Sequence, residues 1–168
     1  DLTRKAANDL IQAGGGTESV TMIKVTKRPQ GHKRVVVLTF EEALAGIDGA
    51  QGTQAIKVCY PNTATDLANI LYTKGYKPSE VAIITRDTNE ARKGIVDYNT
   101  YLEGKEAVIF NASMGTGVSL TIAPPDRFTV IAEGNPPTAI MQGVARYRRA
   151  ETIYLTSTGR FAGEGFYN

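Results

Sequence analysis

The stretch MQGVARYRRA (141–150) places three arginines within four residues, just before the apolar run TIYLT. Arginine carries a planar, permanently charged fork that matches phosphate oxygens, so such a cluster could handle an anion. Asn135-Pro136-Pro137 upstream predicts a helix start with Asn135 as N-cap and proline in the first turn. At 100° per residue, Gln142, Arg146 and Arg149 share one helical stripe as i, i+4 and i+7. Ile140, Val144 and Tyr147 take the opposite side, and Arg148 falls between the two faces. A glycine inside a helix costs about 1 kcal/mol relative to alanine, so Gly143 predicts close backbone packing. Periodicity alone leaves a solvated basic face as the simpler interpretation.

A second feature is the small-residue loop in IFNASMGTGVSL (109–120), with Gly115 and Gly117. Glycines let a backbone approach a ligand, and free N–H groups in such a turn can cradle an anion. The spacing matches neither G-x-G-x-x-G nor the phosphate loop G-x-x-x-x-G-K-[ST]. A turn shaped only for packing stays open beside a ligand loop.

The elements around these features set their positions. Residues 3–13 read as a short helix ending at Gly14–Gly16, a flexible joint. SVTMIKVTK and RVVVLTF are β-rich, and FEEALAGIDGA is either a short helix or an excursion before the next strand. From residue 55 the rhythm is regular. Apolar strands AIKVCYP, EVAIITR, EAVIFNA, RFTVIAEG and TIYLTST are separated by helical patterns, two of them closed by Gly75 and Gly104, except that the loop SMGTGVSLTIAPPD joins EAVIFNA to RFTVIAEG. Short apolar strands alternating with helices imply parallel βαβ units buried on both faces. Ligands in such folds gather at the carboxyl ends of strands, which here carry PNTAT, TRDTN, NASMGTGVS and EGNPP. The tail 158–168 is glycine-rich, and no structure is assigned to it.

Composition narrows the function classes. The chain has 168 residues, about one domain, with 42% hydrophobic residues and a net charge of +2. That charge does not by itself demand nucleic acid. Cys59 is the single cysteine, within IKVCY, and reads as a buried thiol; with His32 as the single histidine, a His/Cys metal cage is not expected. No apolar stretch reaches the roughly 18 residues of a membrane span. A soluble protein is expected, cytoplasmic, or nuclear if it comes from a eukaryotic virus.

Together the motifs resemble, in order and spacing, the C-terminal RecA-like domain of superfamily 2 helicases. QGVARYRR (142–149) is similar to motif VI, Q-x-x-G-R-x-x-R, with Ala145 in place of the glycine. NASMGTGVS (111–119) is similar to motif V, and IKVCYPNTATDLANIL (56–71) to motif IV. The form GTGVSL, with Ser119 where many helicases have Asp, resembles herpesvirus origin-binding proteins and related plasmid and phage replication proteins. The resemblance covers about residues 55–156 and implies a three-layer RecA-like α/β fold with a mostly parallel sheet over 21–157.

It also implies roles. Arg146 and Arg149 match the motif VI arginines that stabilise charge developing on ATP phosphates. Gln142 matches the residue coupling nucleotide state to domain closure. Gly115, Thr116, Gly117 and Ser119 match the nucleotide side of motif V, where Ser119 supplies no carboxylate for a ribose. Asn111 and Ser113 in motif V, and Asn62 and Thr63 in motif IV, match positions holding a nucleic-acid backbone, with Thr85 and Arg86 as weaker candidates. The implied cofactor is ATP with Mg2+, bound mainly by an N-terminal RecA-like domain of the same protein. The implied partner is single-stranded or duplex DNA, with RNA open, and no membrane. The chain contains no phosphate loop and no D-E-x-[DH] motif, so it is expected to be inactive alone. Two other classes stay open: a RecA-like binding module without motor function, and a small-molecule enzyme in which Glu133 is the carboxylate to inspect.

Overall fold

The computed structural model describes residues 33–88, 97–114 and 118–157. The expected helix at 3–13, the glycine joint, the SVTMIKVTK run, His32 and the tail lie outside the described residues.

The described chain runs β1 (Arg34–Val37), α1 (Phe40–Asp48), β2 (Gln54–Lys57), α2 (Pro61–Thr73), β3 (Val81–Ile84), α3 (Tyr98–Leu102), β4 (Ala107–Phe110), β5 (Arg127–Ile131), α4 (Pro137–Val144) and β6 (Thr152–Thr156). The strands form one six-stranded sheet in the order β1-β6-β5-β2-β4-β3. Every neighbouring pair is parallel.

Alternation along the strands divides two cores. Ala55, Val108, Phe110, Phe128 and Val130 face a layer containing Leu102 of α3 and Val144 of α4, with Tyr147 and Leu120. Ile56, Val58, Ile109 and Ile131 face the layer of α1 and α2, including Ile47, Leu67 and Leu71. Both faces are covered, which is why the strands read as continuous apolar runs. Each fully buried large apolar side chain contributes roughly 1.5–3 kcal/mol. Edge strand β1 differs, with Val35 and Val37 exposed.

Local chemistry fixes the element ends. FEEALAGID forms α1 because Thr39 and Glu42 make a reciprocal capping box. The β-run RVVVLTF therefore stops at Val37 and does not continue to Phe40. Gly75 and Gly104 take positive φ after α2 and α3, as their positions suggested. Of the helical pattern NEARKGIVDYNTYLEG, residues 89–96 lie outside the described residues. Asp97 is extended and caps α3 through the amides of Asn99 and Thr100, so α3 begins at Tyr98. Cys59 is half-buried, not a core thiol.

Because all strands run one way, the segments after β2, β3, β4 and β5 leave from one carboxyl edge of the sheet. α4 starts at that edge and leads back towards the start of β6. Among the described residues, no helix is long and apolar enough to cross a membrane.

Candidate functional site

At the carboxyl edge, a hydrogen-bonded network joins three strand ends. Glu133, 8% exposed, follows β5 and accepts from the amides of Cys59 (2.8 Å) and Tyr60 (3.4 Å). The Thr63 hydroxyl, in the first turn of α2, donates to the other Glu133 oxygen. A carboxylate beside the start of α2 also faces the positive end of the helix dipole. Glu133 holds this place in a left-handed backbone, φ 41°, a region costly for any residue but glycine. Cys59 Sγ lies 3.3 Å from Asn135 Oδ1. Burial, first, and the Glu133 charge push that thiol's pKa up, against the pull of Lys57, so it stays protonated at neutral pH.

Asn111, after β4, reaches back with Nδ2 to the Cys59 carbonyl (3.4 Å) and accepts the Ser113 amide on Oδ1 (2.8 Å). This Asx turn sets the short 3-10 helix Ala112–Met114. Asn62 and Arg86 are exposed, and Ser113 is half-buried. Thr85 is only 2% exposed, and its backbone closes a turn with the Thr88 hydroxyl. The structure thus brings Thr63, Asn111 and Ser113 into one network. Thr85 is buried away from the surface, and Asn62 stands outside at the start of α2.

Beneath that edge, the last residue of β2 is a buried lysine. Lys57 is 2% exposed, and an added Cβ at Gly143 would lie 2.9 Å from its Cε and 3.0 Å from its Cγ. Gly143 is small so that α4 can rest on the Lys57 stem, the close packing the sequence predicted. Desolvation lowers the Lys57 pKa, with the nearby Cys59 and Glu133 opposing it.

The second cluster forms where the end of the glycine loop meets the arginine segment. Gly115, Thr116 and Gly117 lie outside the described residues. The residues that follow are well bonded. Leu120 N donates to the Arg146 carbonyl (2.9 Å), and Leu120 makes an isolated parallel bridge with Tyr147. Arg146 Nη1 returns a bond to the Val118 carbonyl (3.0 Å). Asn99 of α3 completes the clamp, accepting from the Thr121 amide (2.7 Å) and lying 3.4 Å from the Ser119 carbonyl. Ser119 is therefore held, half-buried, beside Arg146.

The arginines do not form a helical stripe. α4 has its N-cap at Pro136, not Asn135, and ends at Val144, so Arg146 to Arg149 lie in turns beyond it. The physical cause is Tyr147. It is buried against Phe128, edge-on at 5.3 Å, and Phe110 at 6.1 Å, and the Leu120 bridge takes up backbone groups a helix would use. Gln142 on α4 is exposed, Arg146 is half-buried, and Arg148 and Arg149 are exposed. Neither Arg146 nor Arg149 makes an ion pair among the described residues. Burial lowers the Arg146 pKa from its ordinary value, though an arginine stays cationic.

Two residues of these clusters, Asn99 and Lys57, were not singled out by sequence reasoning, and Glu133 was noted as a carboxylate without its bonds. Their partners are distant in the chain, so no local pattern marks them. Arg146, beside Ser119, and the exposed Arg149 each carry donors of a kind that suits an anion. Among the described residues, no three His, Cys, Asp or Glu side chains gather as a metal site.

No protein-family model matches the chain, and no curated protein matches it. Solved structures do. S. cerevisiae Dbp5 bound to Gle1 and IP6 aligns over 94% of this chain with a TM-score of 0.55 and 13% identity. The chain spans 42% of the length of that structure. The UvsW helicase from bacteriophage T4 aligns over 94% of this chain and 60% of its own, at 11% identity and a TM-score of 0.44. The C-terminal domain of the DEAD-box protein Dbp5 aligns over 74% and 73%, at 15% identity and 0.41. Only the first score is high enough to bear on architecture, and with the parallel sheet and its two helical layers it shows a RecA-like α/β fold.

Proposed function

We propose that the chain is the second motor domain of an ATP-dependent nucleic-acid helicase or translocase. The observation that carries this is the clamp between residues 118–120 and 146–147, which joins the end of motif V to motif VI. Two segments that would face a nucleotide are bonded directly to one another, and neither Arg146 nor Arg149 has an acidic partner among the described residues.

Arg149, exposed, is the finger that meets the terminal phosphate of an ATP held by a preceding RecA-like domain. Arg146 spends one N–H on Val118 and offers its remaining donors, so it acts as the fixed member of the pair. Such preorganised donors stabilise charge developing in phosphoryl transfer without reorganising during the reaction. Bound ATP supplies the phosphoryl group; Mg2+ ligation is assigned to the preceding domain. Gln142, exposed on α4, couples the arginine segment to domain closure. Ser119 leaves the ribose without a carboxylate partner from this chain.

The nucleic-acid backbone is assigned to the carboxyl edge, with Asn62 and Arg86 outermost and Asn111, Ser113 and Thr63 supporting them. Short polar groups on phosphates grip without reading sequence, as translocation requires. Within this proposal, the GTGVSL form of motif V carries a finer assignment to replication-type motors acting on DNA.

The test is nucleic-acid-stimulated ATPase of Arg149→Ala in a protein joining this chain to its phosphate-loop domain. Loss of stimulation with DNA binding retained supports the proposal; unchanged ATPase leaves a binding module. Stimulation by RNA and not DNA would overturn the replication assignment alone.

A further inference from the structure

Lys33 stands immediately before β1 and has no place in the contacts assigned above. Its ammonium donates to the backbone carbonyls of Tyr147 (2.9 Å), Arg148 (3.1 Å) and Ala150. These three carbonyls belong to the turn that presents Arg148 and Arg149. Carbonyl oxygens converging on one point repel unless donors or a cation fill the space, and lysine brings a positive charge with three donors. The neighbouring backbone continues the attachment, since Arg34 N donates to the Glu151 carbonyl at 2.7 Å. On its other side the same segment is held by Leu120 N on the Arg146 carbonyl and Arg146 Nη1 on Val118.

The arginine turn is thus clamped from two directions, by the end of motif V and by the residue preceding the sheet. Without the second clamp, nothing described fixes the Arg148 carbonyl. With no helix around Arg149, the direction of its side chain depends on that backbone. We propose that Lys33 is a positioning residue for the arginine pair: it holds residues 147–150 in the conformation that presents Arg149 outward. It thereby couples the start of β1 to the phosphate-facing arginines. This rests on the motor function proposed above.

The experiment compares Lys33→Met, Lys33→Arg and Arg149→Ala in the protein carrying both motor domains. Lys33→Met is expected to lower kcat of the nucleic-acid-stimulated ATPase by roughly ten- to hundredfold, the scale of a misplaced catalytic group. KM for ATP and the nucleic-acid Kd should stay within about twofold, because Lys33 touches neither ligand. Lys33→Arg, which can still donate to the carbonyls, should recover most of the rate. Amide exchange should quicken at residues 148–151 in Lys33→Met and stay unchanged in the sheet core. A normal kcat in Lys33→Met beside an inactive Arg149→Ala would overturn the positioning role and spare the motor function. Exchange that quickens throughout the sheet would reduce Lys33 to a general stabiliser and also overturn it. A fully active Arg149→Ala would instead sink the motor function, and the positioning role with it.

Discussion

Replacing Glu133 separates the two terms that the structure sets against each other at one residue. The carboxylate accepts the Cys59 amide at 2.8 Å and the Thr63 hydroxyl, with a weaker approach from the Tyr60 amide at 3.4 Å. Hydrogen bonds to a charged acceptor contribute about 1.5–3 kcal/mol each. The site is partly open to water, so the lower end applies, and losing two good bonds in Glu133→Ala should cost about 3 kcal/mol. In a chain of this size that lowers Tm by roughly 6–12 °C. The residue also sits at φ 41°, where a side chain costs about 1 kcal/mol relative to glycine. Glu133→Gly loses the same bonds and relieves that strain, so it should be more stable than Glu133→Ala by about 1 kcal/mol. Thermal denaturation of the three proteins, with amide exchange read at Cys59 and Tyr60, measures both quantities. A Glu133→Ala variant that melts within about 2 °C of the parent, or a glycine variant less stable than the alanine one, would refute these roles of Glu133.

Other substitutions test the packing beneath the site. Phe128→Ala, which removes the ring edge-on to Tyr147 at 5.3 Å, should cost about 3–5 kcal/mol in urea denaturation. Gly143→Val drives a side chain into the Lys57 stem, already 2.9 Å from the Cβ position, and should cost about 1–3 kcal/mol by the same assay. Gly143→Ala should cost less, because its helix propensity returns about 1 kcal/mol. The Asp126 carboxylate accepts the Thr53 amide (2.7 Å) and hydroxyl (3.0 Å), which hold its pKa below the ordinary value. Its folded-state pKa is thus depressed, so its stabilisation is present above the unfolded value near ~3.9 and is lost as pH falls through the folded one. Stability curves of the parent and Asp126→Asn should therefore converge on acidification and separate towards neutrality.

The described strands could be read from residue 34 onward because each buried strand announces itself as an apolar run, whereas FEEALAGIDGA stayed open between a helix and an excursion. AVIF, VAII and RFTVI lie inside the predicted segments. Strand order could not be read. That β1 and β6 pair, and that β2 sits between β4 and β5, depends on contacts between residues far apart in the chain. The capping box Thr39-Phe40-Glu41-Glu42 was present in the letters and marks where the β-run must stop.

The arginine segment shows the limit most clearly. Its 3.6-residue period predicts a helix through Arg149, yet the chain leaves the helix at Val144. Tyr147 is drawn into the aromatic cluster, while Leu120 and Lys33 bond the backbone from outside the segment. Tertiary contacts outweigh a helical preference that Gly143 already weakens. Ser119 is held beside Arg146 through the Leu120 bridge and not through a helical face. Thr63 was legible as a polar residue at a strand end. That its hydroxyl turns to Glu133, seventy residues away, was not.

The most direct test of the motor function is single-turnover ATP hydrolysis by the two-domain protein with nucleic acid bound, comparing the parent with Arg149→Lys. Lysine keeps the charge and removes the planar fork. If Arg149 is the finger, the hydrolysis rate should fall by roughly 10³-fold with ATP affinity unchanged within a few-fold. A rate equal to the parent's would contradict the account.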